Sequence, residues 1–385
     1  MIFIIKIIFG YYERIYLSAY SIDLNFINPL YKLDNNKKKI NIIFNTKRDK
    51  IEVYYNYFLF EDLLIYKIFN VFPNNKKVQY IKNILNVIFL KIIVSYGRYK
   101  VLISGSTGLM KFNKSKNKRH IHIIHSMASL HTIYFNNSFY FFDHIFLTNK
   151  KQLSELKLIK NRDSNITANG TIMGYVDFNY NQFKLKKDRI NILIAPSWFH
   201  PDAFNKILKK YIFKNLSLCS RINKIYIRPH PGLSVDDINL IKKIASDNSY
   251  NLDIHISVDT VLQTDFEQTN IMITDCSGVG IQYALQYLTP TFFIKETPTK
   301  QNNKYFKDGS IESLERDLSY NFGYEILFKN DQFLLNKLLT KYLNSEITQL
   351  EWKSKLIQSR NTFLHDSNNY ALNAINKIES LITPN

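Results

Sequence analysis

The sequence predicts an α/β protein of two domains, each built on a parallel sheet. Its 385 residues exceed one ordinary domain and suit two of about 150–200 residues. Hydrophobic residues make up 45% of the chain, enough for sizeable cores, while Gly (11) and Pro (9) are scarce. After about residue 100, short β-branched runs alternate with helical patterns, an order typical of α/β domains.

Eight short apolar runs are expected to be strands buried on both faces, because they are nearly continuous rather than alternating. They are 101–104, 121–125, 144–148, 191–197, 224–230, 252–256, 270–275 and 291–295. A polar segment, 169–189, separates the first three from the last five, and we place the domain boundary near residues 178–189. The predicted domains are 1–180 and 181–385, and the pattern after Asp331 predicts a helical C-terminal tail.

The formal net charge of +19 is concentrated in the first half of the chain. Residues 1–190 contain 30 Lys and Arg against 12 Asp and Glu, whereas residues 191–385 contain 21 against 20. A basic half is typical of proteins that meet an acidic partner, such as an anionic membrane face, a polyanionic acceptor or nucleic acid. Solvated lysines that reflect composition bias are the alternative. The chain carries no known nucleic-acid-binding motif, so no nucleic-acid partner is expected.

Cysteine usage and hydropathy favour a cytoplasmic protein. Cys219 and Cys276 have no C-x-x-C spacing, so neither a zinc site nor a disulfide framework is predicted. The N-terminal stretch and the segment 78–99 are apolar, but Lys6 interrupts the first and Lys82 the second, so neither predicts a signal peptide or a membrane span. We expect peripheral contact with the inner face of the cell membrane through basic residues.

Polar segments follow four of the predicted strands at their carboxyl ends, where parallel sheets bind ligands. They are 125–131 (HSMASLH), 195–201 (APSWFHP), 228–232 (RPHPG) and 274–285 (TDCSGVGIQYAL). The coincidence of four such segments predicts a site more strongly than any one of them.

The segment 274–285 predicts a strand, a turn and a helix that binds phosphate. Asp275 ends the strand, and Ser277 and Gly278 begin the turn. The helix from Val279 onward would present free N–H groups and its positive dipole end to an anion. Gly278 and Gly280 would let the backbone approach a ligand closely. A Ser/Gly helix cap without a ligand is the alternative.

Arginine and histidine provide the other candidate groups. Arg228 can grip a phosphate or orient a loop, and His230 can donate to a phosphate oxygen. In the first half, His125 at its strand end is the candidate general base. The histidines expected to be structural are His120, His122 and His131.

The turn after the first strand of the second domain offers Ser197 and Trp198. The tryptophan is expected either to flank a donor or, more simply, to pack at the domain interface. Several histidines lie close together in the first half, but no H-E-x-x-H spacing or carboxylate cluster supports a metal site. We therefore expect no metal and no cofactor.

Together the four segments resemble the CDP-glycerol glycerophosphotransferase family, which builds teichoic-acid-like glycerol-phosphate polymers. The family pattern has a histidine motif, a P-[ST]-W turn, an R-x-H-P turn and a T-D-x-S-[SG] turn before a helix. These stand here in the same order at 125–126, 196–198, 228–231 and 274–278. The matching order spans about residues 101–300, and the R-x-H-P and T-D-x-S pair is its most specific part.

The resemblance implies a GT-B fold of two Rossmann-like domains facing a cleft, with an N-terminal acceptor domain and a C-terminal domain that binds the nucleotide donor. It implies metal-independent transfer of glycerol phosphate, or a related polyol phosphate, from CDP-glycerol to a hydroxyl of a cell-surface polysaccharide or lipid-linked acceptor, with CMP leaving. His125 would be the base, His230 would stabilise the pyrophosphate charge and Asp275 would order the site. The substrate-binding residues would be Ser126, Ser197, Trp198, Arg228, Ser277, Gly278 and Gln282.

Two departures from the family pattern leave the donor open. Ser126 stands where the family commonly has Gly, and Gln282 stands near the place of an acidic residue that could touch the donor's ribose. A GT-B glycosyltransferase that uses a nucleotide sugar in capsule or lipopolysaccharide synthesis is therefore the main alternative. A basic nucleic-acid-binding protein and a catalytically inactive scaffold of the same fold are further alternatives.

Overall fold

The structure of the protein is a computed structural model. It describes residues 11–18, 30, 33–34, 39–43, 96, 98–105, 117–175, 188–197, 200–230, 232–247, 250–257, 262–297, 311–364 and 369–382. Of these residues, those within 1–125, 135–178 and 364–385 form a first compact unit, and those within 126–134 and 179–363 form a second. The assignment of an acceptor domain to 1–180 and a donor domain to 181–385 stays a prediction.

The described residues alternate between strands and helices along most of the chain. The strands are β1 (Tyr11–Ser18), β2 (Lys39–Ile43), β3 (Arg98–Ser104), β4 (Arg119–Ile123), β5 (His144–Leu147), β6 (Asn169–Ile172), β7 (Ile190–Ile194), β8 (Ile222–Ile227), β9 (Ile254–Ile256), β10 (Ile271–Thr274), β11 (Thr291–Ile294) and β12 (Gly323–Ile326). The helices are α1 (Leu130–Ile133), α2 (Lys150–Arg162), α3 (Pro201–Ile207), α4 (Phe213–Ser217), α5 (Val235–Ser246), α6 (Leu262–Gln268), α7 (Gly278–Tyr287), α8 (Leu314–Asp317), α9 (Ser319–Phe322), α10 (Leu334–Asn344), α11 (Glu346–Phe363) and α12 (Tyr370–Ile382).

Within the part of the chain that the structure describes, each unit contains one six-stranded parallel sheet, which confirms the predicted α/β class. The strand order is β2-β1-β3-β4-β5-β6 in the first unit and β12-β11-β10-β7-β8-β9 in the second. Every neighbouring pair runs parallel. All eight predicted strand runs contain a strand. Each is a short apolar run rich in β-branched residues, which is typical of strands in a sheet whose two faces are both covered.

The second sheet is covered by side chains on both faces, as its apolar runs predict. Ile192 and Ile194 of β7 pack into a core that includes residues of α3, α4 and α10. Leu193 between them faces the opposite side, where it packs with Met272 of β10 and with Tyr283 of α7. Successive side chains of a strand point to opposite faces, so a run of consecutive Ile and Leu residues contributes to two cores at once.

The predicted helical tail is present as α10, α11 and α12. Helix α10 places Leu335 and Leu339 in the core of the second unit, whereas α12 belongs to the first unit and buries Ala374 and Ile378. Within the described ranges, no helix combines the length and the apolar character that crossing a bilayer requires.

The polar segment 169–189 contains a strand that the sequence analysis missed. Its first residues form β6, which pairs with β5 at the edge of the first sheet. Gly170 makes this possible, because a Cβ there would lie 2.8 Å from Leu147 Cδ1 and 2.8 Å from Leu156 Cδ2 of α2. A short edge strand that contains a glycine lacks the apolar run by which the buried strands were recognised.

Candidate active site

The centre of the second sheet has the topology that creates a ligand crevice. From β7 the chain proceeds outward through β8 and β9, and then returns to form β10 on the other side of β7 before continuing to β11 and β12. The strand order therefore reverses between β7 and β10. In open α/β sheets, ligands bind beyond the carboxyl ends of the strands at this switch point. The predicted site residues Ser197 and Asp275 follow these two strands.

Ser197 and Asp275 are joined by two hydrogen bonds. The Ser197 N–H donates to Asp275 Oδ1 at 2.7 Å, and the Ser197 hydroxyl donates to Asp275 Oδ2 at 2.7 Å. Both residues are buried. Burial raises the pKa of Asp275, while the bonds from Ser197 and the nearby His200 oppose that rise. Because both carboxylate oxygens bind Ser197, Asp275 is arranged to hold two strand ends together.

Helix α7 begins directly after this pair and points its N-terminus at the switch point. Ser277 is the N-cap residue in extended conformation, yet within the described part of the chain its side chain makes no capping hydrogen bond. The ten-residue helix therefore keeps a positive dipole end and backbone donors that no side-chain cap satisfies. This arrangement suits a phosphate group.

The first turn of α7 packs against the segment that follows His125. A Cβ on Gly278 would lie 2.8 Å from the Ala128 nitrogen and 3.0 Å from Ser126 Oγ. Ser126 Oγ in turn accepts a hydrogen bond from the Ala128 N–H at 3.1 Å. Two predicted substrate-binding residues, Ser126 and Gly278, are thus neighbours within the second unit.

Gly280 makes room for the sheet, and its expected approach to a ligand stays a prediction. A Cβ at this position would lie 2.6 Å from Thr274 Cγ2 and 2.8 Å from Phe293 Cε1. Gly280 therefore lets α7 pack closely on β10 and β11, and its backbone carbonyl accepts a hydrogen bond from Thr291 Oγ1 at 2.9 Å. The two glycines of the motif serve different contacts, which their sequence context does not distinguish.

Arg228 and His230 follow β8, the strand next to β7. The Arg228 guanidinium forms an ion pair with Asp265 of α6, whose side chain is fully buried. His230 is half-buried, and its Nδ1 accepts a hydrogen bond from the Gly232 N–H at 2.9 Å. Since Nδ1 is the acceptor, the neutral ring carries its proton on Nε2, the nitrogen that would donate to a phosphate oxygen.

The three histidines in β4 and directly after it divide into one half-buried residue and two core residues. His125 follows β4, is half-buried, and accepts a hydrogen bond at its carbonyl from the Tyr175 hydroxyl at 3.4 Å. His122 is fully buried and donates from Nδ1 to the Ser104 carbonyl at 3.0 Å. Burial, with His125 nearby, lowers the pKa of His122 to about 3. His120 is also fully buried, with Nε2 3.2 Å from the Tyr99 hydroxyl, which suits the structural roles expected of both.

The remaining predicted residues are placed as follows. Gln282 is half-buried on α7, one turn after Gly278. His131 is fully buried in α1 of the second unit. Trp198 lies outside the described residues. Most of the predicted site residues follow the carboxyl ends of the neighbouring strands β10, β7 and β8 in the second sheet: Ser197, Arg228, His230, Asp275, Ser277 and Gly278. His125 instead belongs to the first unit.

Sequence reasoning missed four polar residues that contact or influence this region. Asp265 forms an ion pair with Arg228, and His200 is one of the groups that oppose the rise in the pKa of Asp275. The Ser129 N–H, three residues after Ser126 in the chain, donates a hydrogen bond to Glu315 Oε1. Asp265 and Glu315 lie on helices without a recognisable motif, so only their burial in the folded chain identifies them.

No protein-family model matches the chain, and no curated protein matches it. Solved structures do match. The chain is similar to the S. aureus MnaA–UDP complex at 12% identity and a TM-score of 0.59, covering 95% of this chain and 96% of that one. It is similar to UDP-GlcNAc 2-epimerase from Neisseria meningitidis bound to UDP-GlcNAc at 10% identity and a TM-score of 0.62, covering 96% and 100%. It is similar to the wall teichoic acid polymerase TagF at 15% identity and a TM-score of 0.50, covering 96% and 88%.

At this identity the likenesses establish the fold alone. The protein has a GT-B type fold with two Rossmann-like parallel-sheet domains and a helical C-terminal segment, as the sequence predicts. The second sheet also has the strand order of a dinucleotide-binding domain, which makes its switch point the candidate site on physical grounds.

Proposed function

We propose that the protein transfers glycerol phosphate, or a related polyol phosphate, from CDP-glycerol to a hydroxyl of a cell-surface polysaccharide or lipid-linked acceptor. The observation that carries this proposal is the grouping of Ser197, His230 and the Asp275–Gly278 turn at three neighbouring strand ends beside the switch point. The similarity of the fold to the wall teichoic acid polymerase TagF adds support.

The proposed reaction is a displacement at phosphorus. The acceptor oxygen forms a bond to the phosphorus of the glycerol phosphate group, and the bond from that phosphorus to the CMP oxygen breaks. The electron pair leaves with CMP, and His125 takes the proton of the acceptor hydroxyl. Such a transfer depends on positioning and charge neutralisation more than on a covalent intermediate.

The second unit would bind the donor through backbone and imidazole donors. The N-terminus of α7, at Gly278, would hold phosphate oxygens with the backbone N–H groups that no side chain caps and with the helix dipole. His230 would donate from Nε2 to an oxygen of the pyrophosphate, where charge develops as CMP leaves. Asp275 would order the site by holding Ser197 through both of its carboxylate oxygens.

A nucleotide-sugar glycosyltransferase is the second candidate. Two of the similar structures are described as complexes with UDP or UDP-GlcNAc, and their TM-scores of 0.59 and 0.62 exceed that of TagF. The same helix end would serve a sugar donor, because both donors carry a pyrophosphate.

Donor profiling tests both candidates. Purified protein is incubated with CDP-glycerol or with UDP-, GDP- and CMP-sugars, with a membrane extract as acceptor, and the released nucleotide is measured. The proposal predicts CMP release from CDP-glycerol that is lost in His230→Ala and His125→Ala. His255→Ala, which removes an exposed histidine of β9, is the matched control and should keep the wild-type rate. Release from a nucleotide sugar alone would replace the glycerophosphate reaction by the second candidate.

A further inference from the structure

We propose that Glu315 is a positioning residue that acts through Ser129 to hold the turn Ser126–Ala128 against the first turn of α7. This inference rests on the proposed function for its catalytic consequence, and it concerns contacts that are all within the second unit. Nothing in the sequence links residues 129 and 315. Ser129 lies in the segment 125–131, whereas Glu315 belongs to none of the four segments described above.

Ser129 and the start of α8 cap each other. The Ser129 N–H donates to Glu315 Oε1 at 3.1 Å, and Ser129 Oγ accepts from the Leu314 N–H at 2.6 Å. Leu314 is the first residue of α8, so Ser129 satisfies one of the N–H groups that a helix start leaves without a partner. Ser129 is also the N-cap residue of α1. The two short helices are therefore connected by reciprocal hydrogen bonds.

These contacts are inside the protein, where a lost partner is costly. Ser129 and Leu314 are fully buried and Glu315 is 1% exposed. Burying a carboxylate costs free energy unless hydrogen bonds compensate. A buried Glu315 with a specific bond to a backbone N–H is therefore better explained by positioning than by general stability.

Helix α8, which contains Glu315, is itself held to the second sheet by hydrogen bonds. Lys295, which follows β11, donates from Nζ to the Arg316 carbonyl at 2.5 Å and to Glu325 Oε1 of β12 at 2.9 Å. The same Nζ donates to Ser319 Oγ at 2.8 Å. Because these bonds connect α8 and α9 to two strands of the second sheet, Glu315 is held relative to that sheet.

The residues just before Ser129 in the chain contact α7, the proposed phosphate-binding helix. From Ser129 the chain runs back three residues to Ser126, whose Oγ would lie 3.0 Å from a Cβ on Gly278. Ser126 directly follows His125 in the chain. A displaced Ser126–Ala128 turn would therefore change the contact of this turn with the N-terminus of α7. It would also shift the backbone next to the proposed base, His125.

The first experiment measures the turn without any substrate. Backbone amide exchange is followed in the peptide spanning residues 126–134 of the full chain. Glu315→Ala should accelerate exchange there on the order of tenfold, because the Ser129 N–H loses its buried partner. Glu315→Gln keeps an oxygen acceptor and should exchange like the wild type. The matched control is Asn215→Ala, which removes buried bonds to the backbone of Gln332 and Asn336 and should leave this peptide unchanged.

The second experiment measures turnover with whichever donor the wild type uses. Glu315→Ala and Ser129→Ala should lower kcat on the order of tenfold or more, because a misplacement of the reacting groups by about 1 Å can lower a rate about a hundredfold. Glu315→Gln should restore wild-type kcat, and Asn215→Ala should keep it. The fraction of folded protein is measured for each variant, so that rates refer to folded molecules.

The outcomes separate this inference from the proposed function. Unchanged exchange at residues 126–134 in Glu315→Ala would overturn the inference, whatever the enzyme's donor. Accelerated exchange with an unchanged kcat would also overturn it, because the turn would then have no part in catalysis. If the wild type turned over no donor, the proposed function would fail, while the exchange experiment would still decide whether Glu315 holds the turn.

Discussion

Asp275 accepts two hydrogen bonds from Ser197, one at each oxygen of its carboxylate and each 2.7 Å long, although the two residues are 78 positions apart in the sequence. One bond comes from the backbone and the other from the hydroxyl, so the geometry fixes the Ser197 main chain as well as its side chain. The carboxyl ends of β7 and β10 are thereby held together on either side of the switch point.

Removing the Asp275 carboxylate should destabilise the second unit. Asp275→Ala should lower the free energy of unfolding by about 1–3 kcal/mol, because two buried donors of Ser197 lose their acceptor. Asp275→Asn should lose much less, since an amide oxygen accepts from the N–H and an amide NH₂ can donate to the hydroxyl. Urea unfolding followed by circular dichroism measures both. An equal loss in the two variants would show that the charge, and not the hydrogen-bond geometry, stabilises this pair.

Adding one methyl group to each glycine of α7 should separate activity from stability. Gly278→Ala places a Cβ 2.8 Å from the Ala128 nitrogen, so the Ser126–Ala128 turn must shift, and donor turnover should fall on the order of tenfold. Gly280→Ala crowds Thr274 and Phe293 in the core and should instead cost about 1–3 kcal/mol of stability. Melting temperature and nucleotide release are measured for both. The reverse order of effects would assign the ligand contact to Gly280.

The Arg228–Asp265 ion pair allows a direct test of the predicted role of Arg228. Asp265→Leu leaves a partly buried guanidinium without its carboxylate and should cost about 3–5 kcal/mol. The double variant Arg228→Met, Asp265→Leu should recover most of that stability, because apolar residues of similar volume replace a buried pair at little cost.

If Arg228 binds donor phosphate, the recovered double variant should still show a raised KM for the donor. Steady-state kinetics on the folded double variant gives this value. A wild-type KM would assign Arg228 a structural role only, that of orienting α6 against the end of β8.

The pKa of His122 predicts how the protein responds to acid. The folded value of about 3 lies below the ordinary value of 6.5, so the unfolded chain binds more protons between these two pH values. Stability should therefore fall as the pH is lowered from 6.5 towards 3, by up to about 1.4 kcal/mol per pH unit from this residue. His122→Asn keeps a donor to the Ser104 carbonyl and removes the titration. Its stability should depend less steeply on pH, and equal slopes for both proteins would contradict the assignment.

The sequence by itself determined the fold class and which polar turns follow the strands of the second sheet. Buried parallel strands are continuous β-branched runs, and polar turns at their carboxyl ends are visible as short motifs, so the regions around Ser197, His230 and Asp275 could be predicted. Local chemistry was sufficient for these residues because a strand end and a helix start are encoded within about ten residues.

Only the tertiary structure decided which of these residues touch each other. It paired Arg228 with Asp265, assigned Gly280 to the packing of α7 on the sheet, and joined Ser129 to Glu315 across 186 positions. It also made a strand of residues 169–172, where the sequence shows no apolar run. Such contacts depend on the close approach of distant segments, and neither residue of a pair carries a sign of its partner in its own surroundings.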